Sequence, residues 1–306
     1  MNVTLFARLR TGTLLSLALA LSSPAKAQSP DSIRGNYVYS AAQCPSCADW
    51  SVPHPPIRIF GNTWFVGTNG LSAILITSPE GHILIDGGLP VSASSVVANI
   101  RTLRFLVEDV RLIVNSHAHY DHAGGIAELQ RASGAEVAAS PASARWIRSG
   151  KSWPDDPQFG IAFSYPPAPV VRTITDGETL RVGPLAVTAH FTAGHTPGGT
   201  TWSWRSCEGL VCKDIVYADS QSPISADGFF FTRSKEYPTA LADFEHGFDV
   251  LEHISCDILI TPHPSVSGLW ERVESGTLTD SGACKRFAAG AREALAKRVA
   301  VERASK

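Results

Sequence analysis

The segment HAHYDHAGG, at residues 117–125, is dense in side chains that can bind metal ions. It contains three imidazoles and one carboxylate: His117, His119, Asp121 and His122. Imidazole nitrogens and carboxylate oxygens are typical ligands of zinc in catalytic sites. His117 and His119 are two residues apart on an extended backbone, so their side chains lie on the same side of it. Asp121 and His122 come after the bend, and their side chains face an adjacent position. The segment therefore predicts ligands for two metal ions.

Two further histidines are candidates for completing the ligand sets, because a catalytic zinc ion usually takes three protein ligands. His195 lies on a glycine-rich turn in FTAGHTPGG, and His263 lies between two prolines in DILITPHP. Each lies at the end of a strand-like run, just as HAHYDHAGG follows the strand-like run RLIVNS. The remaining histidines have no ligand context and are expected to be ordinary structural residues: His54, His82, His190, His246 and His253.

The elements that must hold these residues alternate between strands and helices from Ile57 onward. A first meander is predicted for NTWFVG, SAILITS and HILIDGG. The later predictions, in chain order, are a helix over 91–105, strand RLIVNS, a helix over 125–133, strand EVAAS, a helix over 141–149, a loop over 150–170, strands LRVGPLAVTAHFTAGH, GTTWSWR and DIVYADS, a helix over 238–254, strand CDILITPH and a helix over 284–303. Because strands followed by a helix occur twice, we expect an α/β fold of two sheets packed face to face with helices outside.

Composition narrows the function classes. With 44% hydrophobic and 18% charged residues, the 306-residue chain does not resemble a disordered protein. The 26 basic residues are balanced by 28 acidic ones and form no basic run, which argues against a nucleic-acid partner. No repeat or linker divides the chain. We expect residues 28–306 to form a single domain that acts as a monomer on a small molecule.

Residues 1–27 are predicted to be a signal peptide rather than part of the fold. Arg8 and Arg10 precede the apolar run LLSLALAL, and Ala25-Lys26-Ala27 has the small-x-small pattern of a cleavage site. The apolar run is shorter than the roughly 20 residues of a membrane span, although an uncleaved anchor is the alternative. Cleavage would leave a periplasmic protein without a membrane attachment. Its formal net charge would change from −2 to −5, because Arg8, Arg10 and Lys26 are lost.

The six cysteines make disulfide bonds possible in an exported protein. Cys207 and Cys212 flank the short turn in CEGLVC and are the obvious pair, and Cys256 would then pair with Cys284. The CPSC motif at 44–47 is expected to form a local structural disulfide. Free or otherwise paired thiols and a redox role are its alternatives.

In this order, the motifs HAHYDHAGG, AGHTPGG, YADSQS and TPHP resemble those of subclass B3 metallo-β-lactamases, over about residues 45–300. The resemblance implies the metallo-β-lactamase fold, an αββα sandwich of two mixed β-sheets flanked by helices, with the site at the rim between the sheets. It also implies two Zn²⁺ ions, the first held by His117, His119 and His195 and the second by Asp121, His122 and His263. Ser220 and Ser222 match serines near the substrate carboxylate, although such residues can also cap a turn.

The function implied by this resemblance is zinc-dependent hydrolysis of the β-lactam amide bond, which confers antibiotic resistance. A hydroxide bridging the two zinc ions would attack the carbonyl carbon, and Asp121 would both ligate zinc and orient this nucleophile. One alternative is a dinuclear-zinc thioester, lactone or phosphodiester hydrolase, in which Asp219 rather than Ser220 would face the metals. Another is a zinc-binding protein without turnover. Trp153 and the aromatic run 229–231 are expected to pack rather than to cover the cleft.

Overall fold

The structure is a computed structural model that describes residues 1–2 and 37–305. The predicted signal peptide therefore lies outside the described residues, apart from its first two. Within the described part of the chain, no helix combines the length and the apolar character needed to cross a membrane.

Two β-sheets form the centre of the molecule. The first has seven strands in chain order: β1 (Ile57–Phe60), β2 (Thr63–Phe65), β3 (Ile74–Ile76), β4 (His82–Ile85), β5 (Val110–Val114), β6 (Glu136–Ala139) and β7 (Arg172–Thr173). The second has five, which lie side by side in the order 12-11-10-9-8: β8 (Thr179–Val182), β9 (Leu185–Phe191), β10 (Thr200–Glu208), β11 (Val211–Tyr217) and β12 (Ile258–Ile260). The described helices are α1 (Cys47–Trp50), α2 (Ala93–Thr102), α3 (Tyr120–Ala123), α4 (Ile126–Ser133), α5 (Pro141–Ser149), α6 (Ala240–His253), α7 (Leu269–Glu274) and α8 (Ala283–Ala304).

Three layers of apolar side chains hold the sheets and helices together. One face of the first sheet packs on α2, α4 and α5, and its other face packs on the second sheet. The outer face of the second sheet packs on α6 and α8. Strands buried on both faces must be apolar at successive positions, as ILI in β3 and residues 83–85 of β4 illustrate. The predicted sandwich of two mixed sheets flanked by helices is thus confirmed.

The direction of the strands brings the chemically interesting loops to one edge. Strands β4, β5, β6 and β7 are parallel, and so are β11 and β12. Parallel strands end at the same edge of a sheet, so the segments that follow β11 and β12 lie together. The packing of the two sheets brings the segment that follows β5 to the same place. These segments carry HAHYDHAGG, YADSQS and TPHP.

Five short elements were not individually predicted from the sequence: α1, β1, α3, α7 and β7. They have two to six residues, which is too short for a helical or strand periodicity to be recognised. The helix predicted over 91–105 is also shorter in the structure. A 3-10 turn at Pro90–Ser92 precedes α2, and Arg104 adopts a left-handed φ of 65° after it.

The structure brings three pairs of cysteine sulfurs to bonding distance: Cys44 with Cys47, Cys207 with Cys212, and Cys256 with Cys284. The second pair joins opposing residues of β10 and β11. The third joins the segment before β12 to the first turn of α8.

We expect the double variant Cys256→Ser/Cys284→Ser to be destabilised more than Cys207→Ser/Cys212→Ser. The first pair closes a separation of 28 residues and the second a separation of 5. Loop-closure entropy gives about 3.5 kcal/mol for the longer loop and about 2 kcal/mol for the shorter. Guanidinium unfolding without reductant measures both losses, and an equal loss in the two variants would contradict the expectation.

Candidate metal centre

The six candidate ligands line one cavity of about 550 Å³ at the rim between the two sheets. Its size lies in the range of small-molecule sites. Its wall also includes Ser220 and Ser222, the two serines singled out in the sequence, together with Trp50 and Gln158. The six candidate ligands and the two serines lie on segments that follow β5, β9, β11 and β12.

Three imidazoles form the first ligand group. Ligand atoms of His117, His119 and His195 all lie within 4.8 Å of one another, and all three side chains are buried. Such spacing allows one cation to contact all three nitrogens after small side-chain adjustments.

A hydrogen bond fixes the orientation of each of these imidazoles. Nδ1 of His117 lies 2.7 Å from Oδ1 of Asp219, and Nε2 of His119 lies 3.1 Å from Oδ1 of Asp156. Nδ1 of His195 lies 2.8 Å from the carbonyl oxygen of Ser222. When these nitrogens donate, the other nitrogen of each ring carries a lone pair and can bind a metal ion.

The second ligand group is centred on the carboxylate of Asp121. Its Oδ2 lies 3.3 Å from Nε2 of His122 and 3.3 Å from Nε2 of His263. His117, Asp121 and His122 also have ligand atoms within 4.8 Å of one another, so the two groups adjoin. The structure thus brings together all six residues that the sequence singled out.

His263 is positioned from the opposite side of the cavity. Its Nδ1 lies 3.2 Å from the carbonyl oxygen of Gly70, and its ring centroid lies 5.0 Å from that of Trp50. Gly70 must remain a glycine, because a Cβ there would lie 2.6 Å from Cδ1 of Trp50. The last residue of the CPSC motif, Cys47, is the first residue of α1, and Trp50 is the last residue of the same helix. The motif therefore leads directly into the helix that contributes Trp50 to the site.

The charge states of His195 and Asp121 suit a cation. At His119, burial would lower the pKa, but the Asp156 carboxylate outweighs the effect of burial and raises that pKa. Burial lowers the pKa of the His195 imidazole to about 3, so this side chain is neutral at pH 7. Burial alone would raise the pKa of Asp121, but the neighbouring His122 and His263 outweigh it and hold that pKa well below its usual value. Neutral imidazole and ionised carboxylate are the forms that bind metal ions.

An unpaired buried atom provides a test of whether zinc fits. Nε2 of His117 is buried and has no hydrogen-bond partner within the described chain. Such an atom carries a desolvation cost that an ion bound to it would offset. Nε2 of His117 is also the nitrogen that Asp219 leaves free. The imidazole-rich donor set with one carboxylate therefore fits zinc.

Sequence reasoning missed two buried carboxylates, one that orients His119 and one that holds the chain just before His117. Asp156 is fully buried in the loop over 150–170, and its only sequence signal is the acidic pair in PDDP. Asp86, at the end of β4, accepts hydrogen bonds from Ser116 and Tyr217 and adopts a left-handed φ of 62°. Its place in IDGG, directly after an apolar strand, was the available signal.

The structure also locates the residues for which the sequence left alternative roles open. Ser220 lines the cavity, whereas Asp219 does not line it and lies buried behind His117. Trp153 lies outside the cavity lining, where the Arg145 guanidinium covers its ring at 4.9 Å. Phe231 is buried against α6, which agrees with a packing role.

Comparison with known proteins identifies similar families and structures. The family model described as the metallo-beta-lactamase superfamily matches residues 66–270. The chain is 51% identical to the Rm3 metallo-beta-lactamase, with a TM-score of 0.84, covering 85% of this chain and 99% of that one. It is 46% identical to MEM-A1, a subclass B3 metallo-beta-lactamase isolated from a soil metagenome library, with a TM-score of 0.82 and coverage of 84% and 100%.

Curated proteins match more distantly. A hydroxyacylglutathione hydrolase from Rhodospirillum rubrum is 24% identical over 129 residues, which is 42% of this chain and 41% of that protein. A probable metallo-hydrolase from Burkholderia pseudomallei is 30% identical over 113 residues, which is 36% of each protein. The chain thus matches about two fifths or less of the length of these curated relatives.

Proposed function

The chain belongs to the metallo-β-lactamase superfamily, among the subclass B3 metallo-β-lactamases, and from this premise we propose that it hydrolyses the amide bond of β-lactam antibiotics. The observation that carries the proposal is the cavity in which five imidazoles and one carboxylate meet beside two serines. A host bacterium that exports this enzyme would resist β-lactams.

We propose that the site holds two zinc ions. The first would be bound by His117, His119 and His195, and the second by Asp121, His122 and His263. When bound, zinc supplies a water molecule of lowered pKa and polarises a carbonyl group. The adjoining positions of the two ligand groups support this assignment, since Asp121 contacts both His122 and His263.

In this proposal Asp121 has a catalytic role beyond binding metal. Its carboxylate is ionised, and Oδ1 is not used in the 3.3 Å contacts that Oδ2 makes with the two imidazoles. It can therefore accept a hydrogen bond from the attacking water and orient it toward the amide carbon. Asp219 and Asp156 act through His117 and His119, because each orients one imidazole and leaves the opposite nitrogen free.

Ser220 and Ser222 would bind the carboxylate that β-lactams carry next to the ring nitrogen. Both line the cavity, and a serine hydroxyl donates well to a carboxylate. Ser222 also accepts a hydrogen bond from His195 through its main-chain oxygen, so the serine segment and the first ligand group are fixed together.

The remaining sequence predictions are part of the same proposal. Residues 1–27 would direct export to the periplasm and be removed, which leaves residues 28–306 as a single domain that acts as a monomer. The three cysteine pairs at bonding distance support an oxidising compartment, where disulfides persist.

A thioesterase is the alternative within the same superfamily, favoured only by the distant match to a hydroxyacylglutathione hydrolase. Steady-state hydrolysis of nitrocefin and of S-lactoylglutathione by the zinc-loaded protein separates the two functions. We expect kcat/KM for nitrocefin to be at least about a thousandfold higher, within the range that enzymes reach for their own substrates. Preference for the thioester would overturn the proposal.

A further inference from the structure

The cavity extends from the metal ligands to the long C-terminal helix α8. Beyond Ser222 its wall is apolar except for Arg286, whose guanidinium pairs with Asp280, and we name the apolar part the apolar shelf. It is formed by Ile224, Val266, Phe287, Gly290, Ala291 and Ala294. Neither the six ligand candidates nor the two serines belong to it, and the proposed reaction does not require it.

The shelf leaves large apolar side chains uncovered. Ile224 is 54% exposed and Val266 is 58% exposed, on two loops that face α8 across the cavity. A ligand that covers these side chains removes apolar surface from water, which favours binding. The exposed side chains are continuous with a deep polar site, as expected for a pocket that takes one substrate with a polar and an apolar part.

Gly290 keeps the shelf open. It lies inside the 22-residue helix α8, where glycine is less favourable than other residues. A Cβ at this position would meet no atom within 4 Å, so packing does not require glycine there. One turn further along the helix, Ala294 is also small and exposed. The space above both residues belongs to the cavity.

The walls of the shelf are fixed relative to each other. At its start, α8 is joined to the segment before β12 by the pair Cys256–Cys284. Near its end, Arg298 donates a 2.8 Å hydrogen bond to Oγ of Ser225, which follows Ile224. Glu302, 2% exposed, accepts a hydrogen bond from the main-chain nitrogen of Thr232 at 2.9 Å. The loop after Ser222 is therefore attached to the helix that it faces.

We infer that the apolar shelf is a subsite for a large aromatic or aliphatic substituent at C3 of a cephalosporin, an inference that rests on the proposed β-lactam hydrolysis. The C3 substituent is attached to the ring carbon next to the one that bears the carboxylate. When Ser220 and Ser222 bind the carboxylate, the C3 substituent is directed past Ser222 toward Ile224 and α8. The acylamino group at C7 is at the opposite end of the bicyclic nucleus.

Two cephalosporins that share a thienylacetyl group at C7 test the inference. One is nitrocefin, which carries a dinitrostyryl group at C3, and the other carries a methyl group there. In the double variant Gly290→Leu/Ala294→Leu, two leucines fill the shelf. We expect the ratio of kcat/KM for nitrocefin to that for the methyl compound to fall at least about tenfold, mainly through KM.

The control is Ala289→Leu/Ala296→Leu, which adds two leucines to exposed positions of α8 outside the cavity lining. In this control, the ratio of kcat/KM for nitrocefin to that for the methyl compound should stay within about twofold of the ratio in the unmodified protein. Phe287→Ala, which removes one wall, should also lower the ratio, and it tests the inference independently if the double variant folds poorly.

Two results would overturn the inference. An unchanged nitrocefin ratio in both shelf variants would mean that the C3 group lies elsewhere. If the shelf variants instead change only the ratio of kcat/KM for benzylpenicillin to that for 6-aminopenicillanic acid, the acylamino group lies on the shelf. Failure of the proposed function is a separate observation, because the unmodified zinc-loaded protein would then turn over neither cephalosporin.

Discussion

Removal of zinc with dipicolinate should abolish nitrocefin hydrolysis, and addition of two equivalents of Zn²⁺ should restore it. The candidate site offers no activated serine or cysteine nucleophile. Oγ of Ser222 lies 3.3 Å from Nδ1 of His195, but that nitrogen donates to the carbonyl oxygen of Ser222 at 2.8 Å and cannot act as a base, and all six cysteine sulfurs lie in pairs at bonding distance. Without zinc, the residual rate should fall at least about a thousandfold, because Lewis-acid activation supplies several kcal/mol of the barrier reduction. Metal content is measured by mass spectrometry alongside the rate.

The number and type of ions are tested in the same titration. Activity should rise until two zinc ions are bound per chain and then stay constant. Mg²⁺ and Ca²⁺ should not restore activity, because they prefer all-oxygen ligand sets and five of the six candidate ligands are imidazoles. Full activity in a metal-free sample, or restoration by Mg²⁺, would exclude the proposed metal centre.

Much of this site could be predicted from the sequence because its residues directly follow strands. An apolar run such as RLIV fixes where β5 ends, and the glycines after His122 fix where the chain turns. The same reasoning located His195 and His263 at strand ends. Two sheets were expected because strand runs were followed by helices twice, and the long elements, such as α5 and α6, lie within two residues of their predicted bounds.

The side chains that support the ligands were harder to predict. Asp156 lies 37 residues from His119, and Asp219 lies 102 residues from His117. Only the packing of the loop over 150–170 and of the segment after β11 brings each pair into contact. An isolated aspartate has no periodicity, so its sequence context does not distinguish an exposed side chain from a buried one. The apolar shelf depends likewise on how α8 lies across the cavity, which no local pattern specifies.

Asp121→Ala should lower kcat for nitrocefin at least about a thousandfold while the protein stays folded. The substitution removes the carboxylate that both His122 and His263 contact at 3.3 Å, and with it the acceptor that orients the attacking water. The second zinc ion should be lost with it, so titration should end at one equivalent. The first group should keep its ion, because Asp219 and Asp156 still orient His117 and His119.

Two variants show whether this loss is specific to the carboxylate of Asp121. Asp121→Asn keeps the shape and one acceptor oxygen but removes the charge, so it should bind the second zinc ion weakly and recover only a small part of the rate. Glu274→Ala removes an exposed carboxylate outside the cavity lining and should leave the rate unchanged. Circular dichroism checks that each variant is folded, since burial of Asp121 could couple its loss to folding. Near-normal turnover by folded Asp121→Ala would remove this residue from the mechanism, because a group that orients the nucleophile cannot be dispensable for its attack.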